Sequence, residues 1–360
     1  MLLVVWMGTS EEERSARLRK TAGAVLNTVT HRNVFMDGSM DWRACLQEAA
    51  EAPQDKRRII FCIALPKSGI CIEQLQLEDW LRTHFDALEG FVGGAVVDGA
   101  GELYTKSAGR ELLAAANAAG CALPGKPLVE ATGNLMNFQV RSRNAGSTRE
   151  EAYIRSVEKL VKKVCISMPE APGTPNILVL HAGNRRTSNT LMLWDMVQSN
   201  LPEDAAVQEI SLRNGEIMDC RGCTYETCLH FGEHERCFYG GVIVEQVYPA
   251  ILNCSTLVLV CPNYNDTVNA NFLAFFNRLT ALFRNHEDAF SKKRVFAVVV
   301  SGYSGGELVS EQILDSMCCN KNFILPGKFA LLETANDPLS VGTVSGVQQR
   351  AAEFAKRICK

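Results

Sequence analysis

The chain has 360 residues, 47% of them hydrophobic and 21% charged, with a net charge of −3. That length accommodates two domains with a core each, and so small a charge gives no electrostatic handle for nucleic acid or an anionic membrane surface. No apolar run approaches the length of a membrane span, and Met1–Met7 lacks the basic flank of an export signal, so a cytoplasmic location is expected.

The first half predicts strands at Leu2–Met7, Val34–Met36, Ile59–Leu65, Phe91–Val97 and Pro127–Val129. Between them, Ser15–Val25, Leu77–Leu88 and Glu102–Ala119 carry helical apolar spacing. Gly8–Arg14 follows the first strand, and within it Ser10-x-x-Glu13 has the form of a capping box. Glu11, Glu12 and Glu13 put carboxylates where an anion would have to sit. Gly93-Gly94 and Asp98-Gly99 mark expected loops, and Arg141–Ser147 is polar and loop-like. Thr148–Val164 carries apolar residues at helical spacing, and Met168–Pro175, with three prolines, is an expected linker.

The second half repeats the alternation. Strands are expected at Ile177–Leu180, Val207–Leu212, Thr256–Val260, Val295–Val300 and Phe329–Leu332, with helices over Asn189–Ser199, Tyr239–Leu252, Asn271–Arg284 and Glu307–Cys318. Apolar strands separated by helices imply α/β architecture with parallel sheets covered on both faces. The expected domains are 1–145, a helical linker 146–175, and 176–360. Leu123-Pro124-Gly125-Lys126 recurs as Leu325-Pro326-Gly327-Lys328 before the last strand of each half, and Gly101-Glu102-Leu103 recurs as Gly306-Glu307-Leu308. The shared order points to a tandem duplication.

Three loops at strand carboxyl ends suggest a binding site. The first, His181–Thr190, leads into a helix, whose free N–H groups favour an anion. Gly183, Asn184, Arg185, Ser188, Asn189 and Thr190 are its candidate contacts, although an ordinary turn capped by Thr187 or Ser188 has the same appearance. The second offers Pro262, Asn263, Tyr264, Asn265 and Asp266. The third offers Ser301, Gly302, Tyr303, Gly305 and Gly306. In a doubly wound sheet these loops share one edge. Phosphate donors, stackable tyrosines and glycines together suit a flat, anionic cofactor.

Arg185-x-x-Ser188-Asn189-Thr190 resembles the phosphate motif of NAD(P)H-dependent FMN reductases and iron–sulfur flavoproteins, Gly-Ser-x-Arg-x-x-(Ser/Gly)-Asn-Thr. Pro262-x-Tyr264 resembles their flavin-edge motif, and Asn277-Arg278 falls where they often have Asp-Arg. The likeness covers about Asn176 to Pro338 and departs at Ala182-Gly183, where the family has Gly-Ser. It implies tandem flavodoxin-like three-layer α/β/α domains, with FMN in the second and a degenerate first domain without cofactor. The implied activity is an FMN-dependent oxidoreductase, in which NAD(P)H reduces the flavin and a quinone, another flavin or an iron–sulfur centre accepts the electrons. An electron carrier or a redox-sensing module is the alternative, and a homodimer is compatible with either.

Of fourteen cysteines, four lie at Cys220-x2-Cys223-x4-Cys228-x8-Cys237. In a reducing compartment a disulfide framework is not expected. The four could ligate a [4Fe–4S] cluster or zinc, or stay unligated. Their place after the second strand of the half resembles the cysteine motif of iron–sulfur flavoproteins, at wider spacing.

Overall fold

The computed structural model describes residues 1–10, 12–166, 175–212 and 215–360, apart from the side chains of Glu13 and Arg14. The chain divides into two compact units, Met1–Met168 with Pro326–Lys328, and Pro169–Leu325 with Phe329–Lys360.

The first unit runs β1 (Leu2–Met7), α1 (Glu12–Leu26), β2 (His31–Phe35), α2 (Trp42–Ala50), β3 (Arg58–Leu65), α3 (Ile72–Thr83), β4 (Val92–Gly99), α4 (Thr105–Ala118), β5 (Leu128–Ala131), α5 (Gln139–Ala145) and α6 (Arg149–Cys165). Its strands are all parallel in the order β2-β1-β3-β4-β5. Every residue of β1, β3 and β4 is buried, because helices cover both faces. Leu18 and Leu26 of α1, and Tyr153, Val157 and Leu160 of α6, pack on Val4, Ile60 and Cys62 in one core.

Several expectations are corrected here. Gly93, Gly94, Asp98 and Gly99 are strand residues of β4, not loops. A Cβ on Gly93 would stand 2.7 Å from Cys121 Sγ, and one on Gly94 2.7 Å from Leu160 Cδ1, so these glycines admit close packing on each face. Arg141–Ser147 is not all loop: α5 ends at Ala145, with Gly146 in the left-handed region as its stop. The helix expected over Leu77–Leu88 is Ile72–Thr83, and the one expected from Glu102 begins at Thr105. The helix of the expected linker is α6, which belongs to the first unit's core. Residues 167–174, and the Glu13 side chain of the expected capping box, lie outside what is described.

The second unit runs β6 (Asn176–His181), α7 (Asn189–Gln198), β7 (Ala206–Ser211), α8 (Tyr225–Glu233), α9 (Tyr248–Asn253), β8 (Thr256–Pro262), α10 (Ala270–Phe283), α11 (Glu287–Phe290), β9 (Arg294–Ser301), α12 (Gly306–Ile313), β10 (Ala330–Thr334) and α13 (Val347–Cys359). A π-helical turn, Ile243–Val247, precedes α9, and another, Leu314–Cys319, follows α12. The parallel sheet has the order β10-β9-β8-β6-β7. Trp194 and Val197 of α7, with Phe354 and Ile358 of α13, pack on Ile177, Val179 and Phe296.

Numbered within each unit, both sheets have the order 2-1-3-4-5, which is that of flavodoxin-like folds. The repeated Leu-Pro-Gly-Lys segments adopt matching geometry: Lys126 and Lys328 are left-handed, at φ 57 and 56. Just before them, Ala122 bridges Val92 at the start of β4 and Ile324 bridges Arg294 at the start of β9. The repeat is therefore structural as well as sequential.

Candidate functional site

The first loop is a tight turn from β6 into α7. The Asn184 carbonyl accepts from the N–H groups of Thr187 and Ser188 at 3.1 and 2.9 Å, and its Oδ1 accepts from Arg186 N at 3.1 Å. Ser188 is the N-cap, its Oγ accepting from Leu191 N at 3.2 Å. A Cβ on Gly183 would stand 2.8 Å from Ser188 Oγ, so the turn closes only around glycine. Thr190 is buried in the helix's first turn.

Asn189 and Arg185 are engaged with protein. Asn189 Nδ2 donates to the carbonyls of Ala335 and Asp337 at 3.0 and 2.8 Å, and its Oδ1 accepts from Val341 N at 3.0 Å. It therefore latches the segment after β10 onto this loop. Arg185 pairs with Asp195 of α7 at 2.9 Å and with Glu209 of β7. Those bonds, Asp195 first, raise the guanidinium's pKa. The charge expected for an anion is thus met by two carboxylates. What the loop keeps for a ligand is the amino end of α7, with its backbone donors and the positive end of its dipole.

The second and third loops are joined to each other. Asn263 Nδ2 donates to Ser301 Oγ at 3.1 Å and to the Ser304 carbonyl at 2.8 Å. Tyr264 to Thr267 forms a tight turn with Asn265 and Asp266 left-handed. Gln312 of α12 braces that turn, accepting from Thr267 Oγ1 at 2.8 Å and Val268 N at 3.0 Å. Gly305 has φ 82, and a Cβ there would stand 2.0 Å from Asp266 Oδ1. Gly302 and Gly306 likewise lie close to Asn336 Oδ1 and Ser301 Oγ, each 3.0 Å from a would-be Cβ. Pro262 ends β8 and is buried, whereas Tyr264 and Tyr303 are 57% and 81% exposed, so neither ring is held by the core.

Asn263 Oδ1 is buried and has no hydrogen-bond partner among the described residues. An acceptor left so is costly unless a ligand supplies a donor. Sequence inspection missed Gln312 and the segment Ala335–Val341 as supports. The turn residues Asn336-Asp337-Pro338 at a strand's carboxyl end were the available signal for the latter.

The cysteine loop does not form the expected cage. Among the described residues, no three His, Cys, Asp or Glu side chains are grouped as a metal ion would need. The unforeseen α8 carries Cys228 on a helix while Cys220 stays exposed. Burial first, then neighbouring Cys223, raises the Cys228 pKa, with Cys237 a weaker contributor. The loop is held by buried Arg278 of α10, which donates to the carbonyls of Met218 at 2.9 Å and Gly240 at 2.5 Å. The arginine of Asn277-Arg278 therefore clamps this loop.

The profile of the NADPH-dependent FMN reductase family matches residues 175–337. No curated protein matches the chain. Among solved structures, the chain is similar to RosB with bound 8-demethyl-8-formylriboflavin-5'-phosphate, at 12% identity over 51% of this chain and 77% of that one, with a TM-score of 0.40. It is also similar to the Trp repressor binding protein from Bacillus subtilis, at 19% identity over 50% of this chain and 97% of that one, TM-score 0.34. An NAD(P)H:quinone oxidoreductase from Methanothermobacter marburgensis is 12% identical over 52% of this chain and 96% of that one, TM-score 0.36.

Proposed function

We propose that the second unit binds FMN at the carboxyl edge of its sheet and that the chain is an NAD(P)H-dependent FMN oxidoreductase. The family match over residues 175–337 carries this reading, because it spans all three loops. The residues present fit the group. Asn263 Oδ1 is a buried acceptor with no donor among the described residues, and Gly183 and Gly305 let the loops around it close tightly. When bound, FMN supplies hydride acceptance from a nicotinamide and onward delivery of electrons.

The chain's own residues bind and orient. The first-turn N–H groups of α7 other than that of Leu191, which donates to Ser188, would hold the phosphate, supported by the dipole of a ten-residue helix. Ser188 fixes the start of that helix, and Asn189 fixes the neighbouring loop. Asn263 presents its oxygen to a ring donor while its amide keeps the second and third loops together. Tyr264 and Tyr303 supply exposed aromatic faces to cover a planar ring and exclude water. In this reading the first unit carries no FMN, because Glu12 and its acidic neighbours oppose a phosphate after β1.

Absorbance of the purified protein tests the proposal. A flavin spectrum that bleaches on anaerobic addition of NADH or NADPH is expected. A colourless protein that takes up no FMN overturns the proposal, whereas flavin that neither nucleotide reduces indicates a carrier. The same sample tests the cysteine loop: about four iron and four sulfide per chain would mark a [4Fe–4S] cluster on Cys220, Cys223, Cys228 and Cys237.

A further inference from the structure

The four cysteines after β7 do not fit the cluster that their spacing suggests. A cubane needs its thiolates around one centre, and among the described residues no three metal-binding side chains are so grouped. Two of the four have a closer relation, set by the start of α8. Thr224 is the N-cap of that helix, its Oγ1 accepting from Thr227 N at 3.2 Å. Cys223 therefore stands immediately before the cap, and Cys228 is the fourth residue of the helix. Those are the two positions whose side chains meet in a hydrophobic staple. Here the staple is made of two thiols, hydrogen-bonded to each other.

The surroundings suit chemistry at this pair. Both thiols are half-buried, whereas Cys220 is exposed. Burial and the neighbouring Cys223 raise the Cys228 pKa, and Arg284 opposes them. Arg284 lies over the ring of Tyr225, the first residue of α8, with its Cζ 4.5 Å from the centroid. A guanidinium is thus fixed at the end of the helix where the thiols stand, and positive charge there favours a thiolate. Arg278 anchors the loop on either side of the pair, through the carbonyls of Met218 and Gly240. A bond between Cys223 and Cys228 spans only the cap of α8 and leaves both anchors in place.

We propose that Cys223 and Cys228 are a dithiol that closes to a disulfide by exchange with a low-molecular-weight disulfide. Cys223, outside the helix, attacks one sulfur of that molecule as a thiolate. The sulfur–sulfur bond breaks and one small thiolate leaves. Cys228 then gives up its proton and attacks the Cys223 sulfur of the mixed disulfide, expelling the second small thiolate. The two small thiolates take up the two protons released. The chain is oxidised by two electrons, and the small disulfide is reduced to two thiols. The proposal goes beyond the flavin reading and does not depend on it.

The sequence makes the test direct. Trypsin cuts after Arg221 and Arg236, and the peptide Gly222–Arg236 holds these two cysteines and no other. The full chain, purified anaerobically, is equilibrated in buffers of reduced and oxidised glutathione, alkylated, digested and weighed. The peptide should lose both alkyl labels together, in a single two-electron transition, and appear about 2 Da lighter than its unlabelled dithiol form. Cys220→Ser and Cys237→Ser should leave that transition unchanged, and Cys223→Ser should abolish it. Glutathione retained on either cysteine of the unaltered chain, Cys228 bonded to Cys220 or Cys237, or both thiols still reduced in oxidised glutathione alone would each overturn the proposal. So would stoichiometric iron or zinc in the anaerobic protein that shields the four thiols from alkylation. Flavin content, read on the same samples, reports separately on the flavin reading.

Discussion

Asn263 and Arg185 show how differently two polar side chains at one sheet edge can be used. Asn263 Nδ2 is satisfied by Ser301 and Ser304, while its buried Oδ1 accepts from nothing described. A buried acceptor without a donor costs about 1–3 kcal/mol, which a ligand donor can recover. Asn263→Ala should therefore weaken FMN binding about tenfold, measured by equilibrium dialysis, since it removes both the acceptor and the loop tie. Arg185 is half-exposed and already paired with Asp195 and Glu209. Exposed ion pairs contribute little, so Arg185→Ala should change FMN affinity by less than about threefold. Ser188→Ala removes the cap of α7 and should lower stability by about 1 kcal/mol, read as a shift in denaturation midpoint.

Elements in the first unit are tied together at the carboxyl edge by one arginine. Arg17 of α1 bonds both oxygens of Asp98 near the end of β4, and donates to the carbonyls of Gly99, Thr132 and Gly133 at 3.2, 3.0 and 2.7 Å. Tyr153 of α6 donates to the same Asp98 at 3.2 Å. Breaking a buried pair by removing one partner leaves the other uncompensated, and Asp98 is only 3% exposed. Asp98→Ala should cost about 3 kcal/mol in chemical denaturation. Tyr153→Phe, which removes one hydrogen bond and keeps the ring, should cost about 1 kcal/mol. Helix α8 lies inside the cysteine loop and carries Cys228 of its four cysteines.

For the whole molecule, the membership of α6 decides where the chain can be divided. Its buried residues Tyr153, Val157, Leu160, Val161 and Val164 complete the first unit's core. At roughly 1.5–3 kcal/mol each, their burial is on the order of 10 kcal/mol, comparable with the whole stability of a domain. A fragment ending at Gly146 should therefore be unfolded by circular dichroism, and one ending at Ile166 should be folded and colourless. A fragment beginning at Pro175 should retain the flavin, giving one FMN per chain. Flavin retained by the first fragment would show that the two units had been assigned the wrong way round.

The strands and the parallel sheets were legible in the sequence, because a strand covered on both faces must be apolar along most of its length, as β3 is from Ile59 to Leu65 and β9 from Val295 to Val300. The three loops were legible for a related reason: Gly, Asn and Pro accumulate where apolar strands end. The same local signals misplaced Gly93 and Gly94, which resemble a loop by composition but lie within β4 and admit Cys121 and Leu160 of α6 at close range. They also left α6 in a linker and α8 unseen. Which partner a polar group takes lay beyond reach altogether. Arg185 meets Glu209 from another strand, and Asn189 meets Ala335 and Val341. The apolar pattern of a chain determines which residues must leave water. Only the folded chain determines which polar groups are brought together, because those contacts join segments whose separation in sequence carries no local signal.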